Sequence, residues 1–332
     1  MLRLMHTPDG VRDIYGEEEK AKRSLMKKVA GIFQAYSYDH IETPTFEYFD
    51  VFSNEIGTTP SNELYKFFDR DGNTLVLRPD FTPSVARAAA MYMEEEERPL
   101  RLCYSGNTYV NTTEYQGRLK ESTQMGVELI GENSSRADAE IIALTIEALK
   151  KAGLKEFQVS IGEVEFFKSL VKNAGLDEET EKTVRRLISS KNFFGVQEVL
   201  DKTGLSEKKK KAFVMMPQLF GGPEVLTKAR GLALTKSSAA AIDRLEDIYH
   251  ILDQKGLTRY VSFDFGALSK YRYYTGIIFS AFTYGSGEPV AKGGRYDNLL
   301  GHFGRDEAAV GVGIYVDQLL TSLRRTGRRA KK

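Results

Sequence analysis

The chain has 332 residues, enough for more than one hydrophobic core, and its 47 basic and 46 acidic residues leave a net charge of +1. A charge so close to zero gives no general attraction to nucleic acid, and the absence of a membrane-spanning apolar run or signal-peptide pattern predicts a cytoplasmic protein with no membrane partner. One cysteine excludes an internal disulfide and a thiolate zinc cage, and the four histidines lack ligand spacing, so no metal or cofactor is predicted.

The first part of the chain predicts one helix followed by short strands. Apolar residues at helical intervals between 17 and 36 predict an amphipathic helix. Residues 71–73, Asp-Gly-Asn, lie between two β-rich runs and predict a hairpin, and residues 104–131 predict two more strands joined by a polar loop. Tight connections of this kind predict an antiparallel sheet rather than a doubly wound parallel one.

The remainder of the chain changes from strand patterns to helices and back. A helix is predicted from Asp138, its expected N-cap, to Lys151, followed by a strand over 156–161. Residues 163–255 show helical patterns throughout, and strand patterns return after 256. This order predicts an α+β fold in which 1–162 and 256–323 form one domain, 163–255 form a mainly helical insertion, and 324–332 form a basic, disordered tail.

Polar side chains occupy alternate strand positions in several of these segments. Gln124 and Glu128 share a face across Gly126, and Asp80 and Thr82 follow another strand. Each group alone is most simply a solvated carboxylate or ordinary packing. Together with nearby tyrosines, they predict a pocket for a small zwitterion whose side chain carries N–H groups.

Several segments, in order and spacing, resemble the catalytic domain of histidyl-tRNA synthetase, a class II synthetase. They are TPDGVRDIYGEEEKAK, TPTFEYFDVFSNEIG, LYKFFDRDGNTLVLRPDFT, YQGRLKESTQMGVELIG, YYTGIIF, KGGRYDNLL and AVGVGIYVDQLL. The resemblance implies an antiparallel sheet flanked by helices, a dimer built partly on residues 43–52, and a histidine pocket. The implied pocket contains Asp80, Thr82, Gln124, Glu128, Tyr273 and Tyr274, lined by Gly126, Gly293, Gly294 and Arg295. Asp80 departs from the synthetase pattern, which has a longer glutamate there.

The same resemblance identifies positions at which the ATP-binding side chains of the synthetase are replaced. Val110 and Thr112 stand where the second class-defining motif has an arginine and a glutamate. Ser269 and Gln318 stand where two further arginines would act on the reacting groups and the nucleotide. Loss of one preorganised donor typically costs about 2.7–4 kcal/mol in the reaction barrier. The replacements predict that synthetase activity is absent, and the length leaves no room for an anticodon-binding domain.

A synthetase-like chain of this length without the ATP arginines resembles the regulatory subunits of ATP phosphoribosyltransferase. That family implies a non-catalytic chain that supports the first step of histidine biosynthesis with a short-form catalytic subunit. It also implies self-association and feedback inhibition by L-histidine. Two alternatives stay open: a divergent synthetase-like enzyme that activates an amino acid with ATP, and a tRNA-binding protein without catalysis. The sequence does not decide whether histidine occupies the inherited pocket or a partner interface.

Overall fold

The computed structural model describes residues 6–52, 59–112, 119–268 and 273–329, with side chains as far as residue 326. The helices are α1 (Gly16–Ala35), α2 (Thr82–Tyr92), α3 (Ser135–Ala152), α4 (Val164–Ala174), α5 (Glu178–Ser189), α6 (Phe193–Asp201), α7 (Glu207–Met215), α8 (Glu224–Arg230), α9 (Lys236–Gln254) and α10 (Val316–Arg329). The strands are β1 (Asp39–His40), β2 (Phe46–Tyr48), β3 (Lys66–Phe68), β4 (Thr74–Leu77), β5 (Leu100–Tyr109), β6 (Glu121–Ile130), β7 (Phe157–Glu163), β8 (Phe220–Gly221), β9 (Val261–Asp264), β10 (Ile277–Thr283), β11 (Ala291–Arg295) and β12 (Ala309–Tyr315). None of the helices within these ranges is long and apolar enough to cross a lipid bilayer.

The strands form a nine-stranded sheet in the order β1-β5-β6-β12-β11-β10-β7-β9-β8 and a separate three-stranded sheet in the order β2-β4-β3. Most neighbours are antiparallel, which confirms the predicted α+β class. The β1–β5 and β7–β9 pairs are parallel, so the large sheet is mixed rather than purely antiparallel. Short turns in a sequence indicate only pairs of strands that follow one another directly. The β1–β5 and β7–β9 pairs are joined by long connections, so no turn in the sequence indicates them.

One face of the large sheet packs against helices α1, α3, α4 and α10 and holds the main hydrophobic core, and helix α9 packs on α3 and α4. Helix α3 lies in the middle of it, with every residue from Ile141 to Ile146 buried, because its apolar residues are distributed all round the helix. Its N-cap is Ser134, whose Oγ accepts a hydrogen bond from the amide of Ala137 at 3.1 Å. The predicted cap, Asp138, instead lies in the first turn and is fully buried.

The opposite face of the sheet carries a smaller core beneath helix α2, built from Phe81, Val85, Leu102, Tyr104 and further residues. The three-stranded sheet contributes a third, small cluster around Val76.

Two segments differ from their predicted conformation. Strand β8 lies within 163–255 and pairs with β9, so that region is not wholly helical. Helix α10 continues to Arg329, so residues 324–329 are helical rather than a disordered tail. Arg324 contacts Glu18 at 3.0 Å and Arg325 donates to the carbonyl of Gly285 at 2.7 Å, and these contacts hold the basic end of the helix.

Candidate functional site

Strands β5, β6 and β12 bring the predicted row of polar residues onto the face beneath α2. Gly126 of β6 pairs with Tyr104 of β5, and Glu128 of β6 pairs with Gly311 of β12. Directly paired residues in neighbouring strands carry their side chains on the same face. Gln124, two residues before Gly126, therefore lies on this face as well.

The centre of the site is the carboxyl group of Glu128, which is 1% exposed. Its Oε1 accepts hydrogen bonds from the hydroxyls of Thr82 at 2.7 Å and Tyr104 at 3.4 Å, and its Oε2 accepts one from the hydroxyl of Tyr296. Burial raises the pKa of Glu128 to about 8, because the loss of water outweighs the stabilisation of the anion by these hydroxyls. The acid therefore titrates close to neutral pH.

We expect the free energy of unfolding of the ligand-free protein to fall as the pH rises from about 5 to about 8. In this interval the folded protein keeps a proton on Glu128, whose pKa is about 8, whereas an unfolded chain with the ordinary value of 4.5 has released it. Raising the pH therefore favours the unfolded state, with a slope of up to about 1.4 kcal/mol per pH unit for one proton. Denaturant unfolding at several pH values measures this slope.

Glu128→Gln is expected to reduce the slope by the contribution of one proton. Burial also raises the pKa of Glu163 to about 8, so a second contribution of the same sign persists in this variant and provides an internal reference. A slope that is unchanged by Glu128→Gln would contradict the raised pKa.

Two glycines of β12 make space for the polar side chains of β6. A Cβ atom on Gly311 would lie 1.6 Å from Oε2 of Glu128, and one on Gly313 would lie 2.2 Å from Nε2 of Gln124. Both distances are far inside van der Waals contact, so any side chain here would displace the acid or the amide. The two glycines in AVGVGIYV thus leave room for Glu128 and Gln124 on the neighbouring strand.

The side chain of Tyr104 occupies the space that Gly126, which has no side chain, leaves on this face of the sheet. A Cβ atom on Gly126 would lie 2.3 Å from the Tyr104 hydroxyl oxygen, and the ring of Tyr104 stacks on Phe81 with centroids 4.4 Å apart. Sequence reasoning missed Tyr104 because its role depends on the register between β5 and β6. The alternation of side chains within a single strand does not show how that strand is aligned with its neighbour.

Asp80 and Gln124 lie side by side next to Tyr104. Nε2 of Gln124 is 3.3 Å from the Tyr104 hydroxyl and 3.4 Å from Oδ1 of Asp80. Oδ1 of Asp80 also accepts a hydrogen bond from the amide of Phe81 at 2.7 Å, which fixes the carboxylate at the start of α2. A carboxylate beside an amide is a suitable arrangement for a ligand ammonium group.

Three tyrosines form the wall on the other side of the acid. The rings of Tyr273 and Tyr274 stack with centroids 4.3 Å apart, and Tyr273 meets Tyr296 edge to face at 6.0 Å. A Cβ atom on Gly294 would lie 2.6 Å from the ring of Tyr274, so this glycine admits the tyrosine. Tyr296 was missed from the sequence, although it follows Gly294 by two residues and so lies on the same face.

Two of the predicted pocket-lining residues do not line this site. Gly293 and Arg295 alternate with Gly294 along β11 and therefore face the main core. A Cβ atom on Gly293 would lie 2.4 Å from the ring of Phe279 in that core. Arg295 donates to Asp138 at 2.8 Å and to Asp297 at 2.9 Å, and two carboxylates account for a guanidinium that is 1% exposed.

Three of the four positions assigned to a lost ATP site lie around the same sheet. Val110 extends the β5–β6 pairing through its amide, which donates to the carbonyl of Lys120 at 2.9 Å, and Thr112 is half-buried beyond it. Gln318 is half-buried in the first turn of α10. All three side chains are uncharged. Ser269 lies outside the described residues.

Comparison with known proteins places this chain in a family. The sequence model for histidyl-tRNA synthetase matches residues 10–319. A relative in Acetivibrio thermocellus named "ATP phosphoribosyltransferase regulatory subunit" is 40% identical, over 97% of this chain and 77% of that protein. A relative of the same name in Thermoanaerobacter pseudethanolicus is 42% identical, over 97% of this chain and 84% of that protein.

Solved structures give the same result for the fold. A Bacillus halodurans protein described as an ATP phosphoribosyltransferase regulatory subunit/histidyl-tRNA synthetase superposes with a TM-score of 0.91 at 36% identity, covering 96% of this chain and 83% of that one. A histidyl-tRNA synthetase from Nostoc superposes with a TM-score of 0.81 at 19% identity, covering 97% of this chain and 76% of that one. The second likeness concerns the fold alone.

Proposed function

This chain belongs to the histidyl-tRNA synthetase family, and we propose that it acts as a non-catalytic regulatory subunit of ATP phosphoribosyltransferase in the cytoplasm. In this proposal it assembles with a catalytic subunit, as the words "regulatory subunit" in the names of its relatives suggest. The proposal adds that this partner is a short-form catalytic subunit and that the chain binds L-histidine as a feedback effector. The chemistry of histidine biosynthesis would then take place on the catalytic partner. The proposal rests on a site suited to binding an amino acid and poorly suited to activating one.

The observation that carries the proposal is the buried acid Glu128 with its three hydroxyl partners. An imidazole N–H is a donor that can replace a hydroxyl on this carboxyl group, and in doing so it favours the ionised acid. Asp80 and Gln124 supply acceptors for the ammonium group, and the stacked rings of Tyr273 and Tyr274 can cover the apolar part of the ligand. These groups match the imidazole, the ammonium group and the apolar part of histidine.

The uncharged residues Val110, Thr112 and Gln318 support a non-catalytic role. Transfer of an adenylyl group builds negative charge that enzymes stabilise with fixed positive groups. Histidine-dependent exchange of pyrophosphate with ATP tests the alternative, an amino-acid-activating enzyme. Exchange at a rate typical of synthetases would contradict the proposal.

A three-stranded sheet of β2, β3 and β4 supports the proposed self-association. It exposes Phe46, Tyr48 and Phe68 by 52%, 58% and 72%, and the rings of Phe46 and Phe67 pack edge to face at 5.7 Å. A cluster of exposed aromatic side chains of this kind is typical of a surface that is covered in an assembly.

We expect the double substitution Phe46→Ser and Phe68→Ser to raise the dissociation constant of the self-associated form by about 100-fold or more. Burying each aromatic ring contributes about 1.5–3 kcal/mol, which is lost in the variant. Sedimentation velocity over a range of concentrations measures the change. Phe220→Ser removes an aromatic side chain of similar exposure, 59%, from strand β8 and serves as the matched control. Equal effects of the two variants would show that this sheet is not the contact surface.

The proposed function as a whole is tested by co-purification with a short-form catalytic subunit and by the phosphoribosyl transfer rate of the complex with and without L-histidine. We expect a stable complex, activity that requires both chains, and inhibition by histidine. Failure to form a complex would overturn the regulatory role. A complex insensitive to histidine would overturn only the sensing role.

A further inference from the structure

Helix α4, the first helix after β7, forms two hydrogen bonds with the segment that carries Tyr273 and Tyr274. The amide of Val164 donates to the carbonyl of Gly276 at 3.1 Å, and Nζ of Lys168 donates to the carbonyl of Tyr274 at 2.8 Å. Val164 and Lys168 are one helical turn apart and therefore lie on the same side of α4. The helix thus holds two carbonyls that are two residues apart.

The contact of Lys168 is unusual for a lysine. The residue is half-buried, and burial lowers the pKa of its ammonium group, yet the hydrogen-bond partner of that group is a backbone carbonyl rather than a carboxylate. Lysine side chains ordinarily keep their charged end in water, where three donors are easily satisfied. A lysine whose ammonium group is hydrogen-bonded to one backbone carbonyl fixes the position of that carbonyl.

The fixed carbonyl belongs to the wall of the candidate pocket. Tyr274 stacks on Tyr273 and packs against Gly294, and the next amide, that of Thr275, donates to the carbonyl of Arg295 at 2.8 Å. Strand β10 begins only at Ile277, so residues 273–276 are not part of the sheet pairing. Their position is set by α4 on one side and by the end of β11 on the other.

We propose that Lys168 is a positioning residue of the effector pocket, through which α4 couples ligand binding to the helical region that follows β7. In this role Lys168 acts through the carbonyl of Tyr274 and holds the tyrosine wall in place. Because coupling is reciprocal, occupation of the pocket stabilises α4 in turn. The coupling to a ligand rests on the proposed function, whereas the positioning of residues 273–276 does not.

Hydrogen exchange of the ligand-free protein tests the positioning directly. In Lys168→Met, which keeps an unbranched side chain one atom shorter but removes its donors, the amides of residues 275–277 are expected to exchange about tenfold faster. Lys172→Met, an exposed lysine one turn further along α4, is the matched control and should leave these amides unchanged. Lys168→Arg retains a donor and should restore much of the protection. Equal exchange in the Lys168→Met and Lys172→Met proteins would overturn the proposal.

Titration with L-histidine tests the coupling. We expect Lys168→Met to weaken binding about tenfold, as loss of a charged hydrogen bond that orders one wall would do. We also expect histidine to slow exchange in α4 of the original protein but not in that of Lys168→Met. If the original protein does not bind histidine, the proposed sensing role fails while the exchange of residues 275–277 still decides the positioning role. If it binds histidine and α4 exchange is unaffected, the coupling is wrong.

Discussion

Replacing Glu128 with alanine is expected to weaken the binding of L-histidine by about 100-fold or more. Removing one partner of a buried charged pair costs about 3–5 kcal/mol, and each 1.4 kcal/mol is about tenfold in affinity. The affinity falls because the ligand loses its buried acceptor, whereas the hydroxyls of Thr82 and Tyr296 lose theirs with or without ligand, which lowers the stability of the variant instead. Isothermal titration calorimetry measures the affinity of each variant.

Glu179→Ala provides the matched control, because Glu179 is an exposed acid on α5. The control should bind histidine as the original protein does. Circular dichroism establishes that both variants are folded before they are compared. If the two variants bind equally well, the inherited pocket is vacant and any regulatory histidine binds elsewhere, such as at the interface with the catalytic partner.

Replacing Asp138 with alanine is expected to lower the free energy of unfolding by about 3–5 kcal/mol. Asp138 is fully buried and binds two guanidinium groups, with Nε of Arg295 2.8 Å from Oδ1 and Nε of Arg244 2.6 Å from Oδ2. Without the carboxylate, the buried Arg295 retains only Asp297 as a carboxylate partner, and the partly exposed Arg244 retains its hydrogen bond to Asn133. A buried cation that loses one of its two carboxylates is far more costly than a broken surface pair.

Denaturant unfolding, followed by circular dichroism, measures this loss. Glu198→Ala removes an acid from a surface ion pair with Lys202, in which the two side chains are 76% and 74% exposed. An exposed pair of this kind contributes about 0.3–0.5 kcal/mol, so the control should be nearly as stable as the original protein. A loss for Asp138→Ala no larger than that of the control would mean that the buried ion pairs contribute little net stability.

The sequence predicted those parts of the site that depend on one strand at a time. Alternation along β6 placed Gln124, Gly126 and Glu128 on one face, and the structure has them there. The structure also brings Asp80 and Thr82 to them from the start of α2. These residues are close in space because their elements meet at the site, and the resemblance to the synthetase supplied that information rather than the local pattern.

The predictions that proved wrong concern partners distant in the sequence. Arg295 was assigned to the pocket, but Asp138, which lies 157 residues away, holds it on the opposite face. Tyr104 was not recognised because the register of β5 against β6 places it over Gly126. The cap of α3 was assigned to Asp138 because an aspartate suits that position as well as Ser134 does. In each case local chemistry allowed several outcomes, and tertiary packing selected one.

The hydroxyl groups around Glu128 influence which molecules the pocket can exclude. In the free protein the acid already accepts hydrogen bonds from Thr82, Tyr104 and Tyr296, so an entering ligand competes with internal donors. A ligand that offers an N–H group can take over one of these bonds, whereas an apolar analogue of the same shape would leave a buried polar group unsatisfied. Sites built in this way discriminate strongly against analogues that lack the donor. Selectivity among amino acids would then come from the protein's own hydroxyls as much as from the acid they surround.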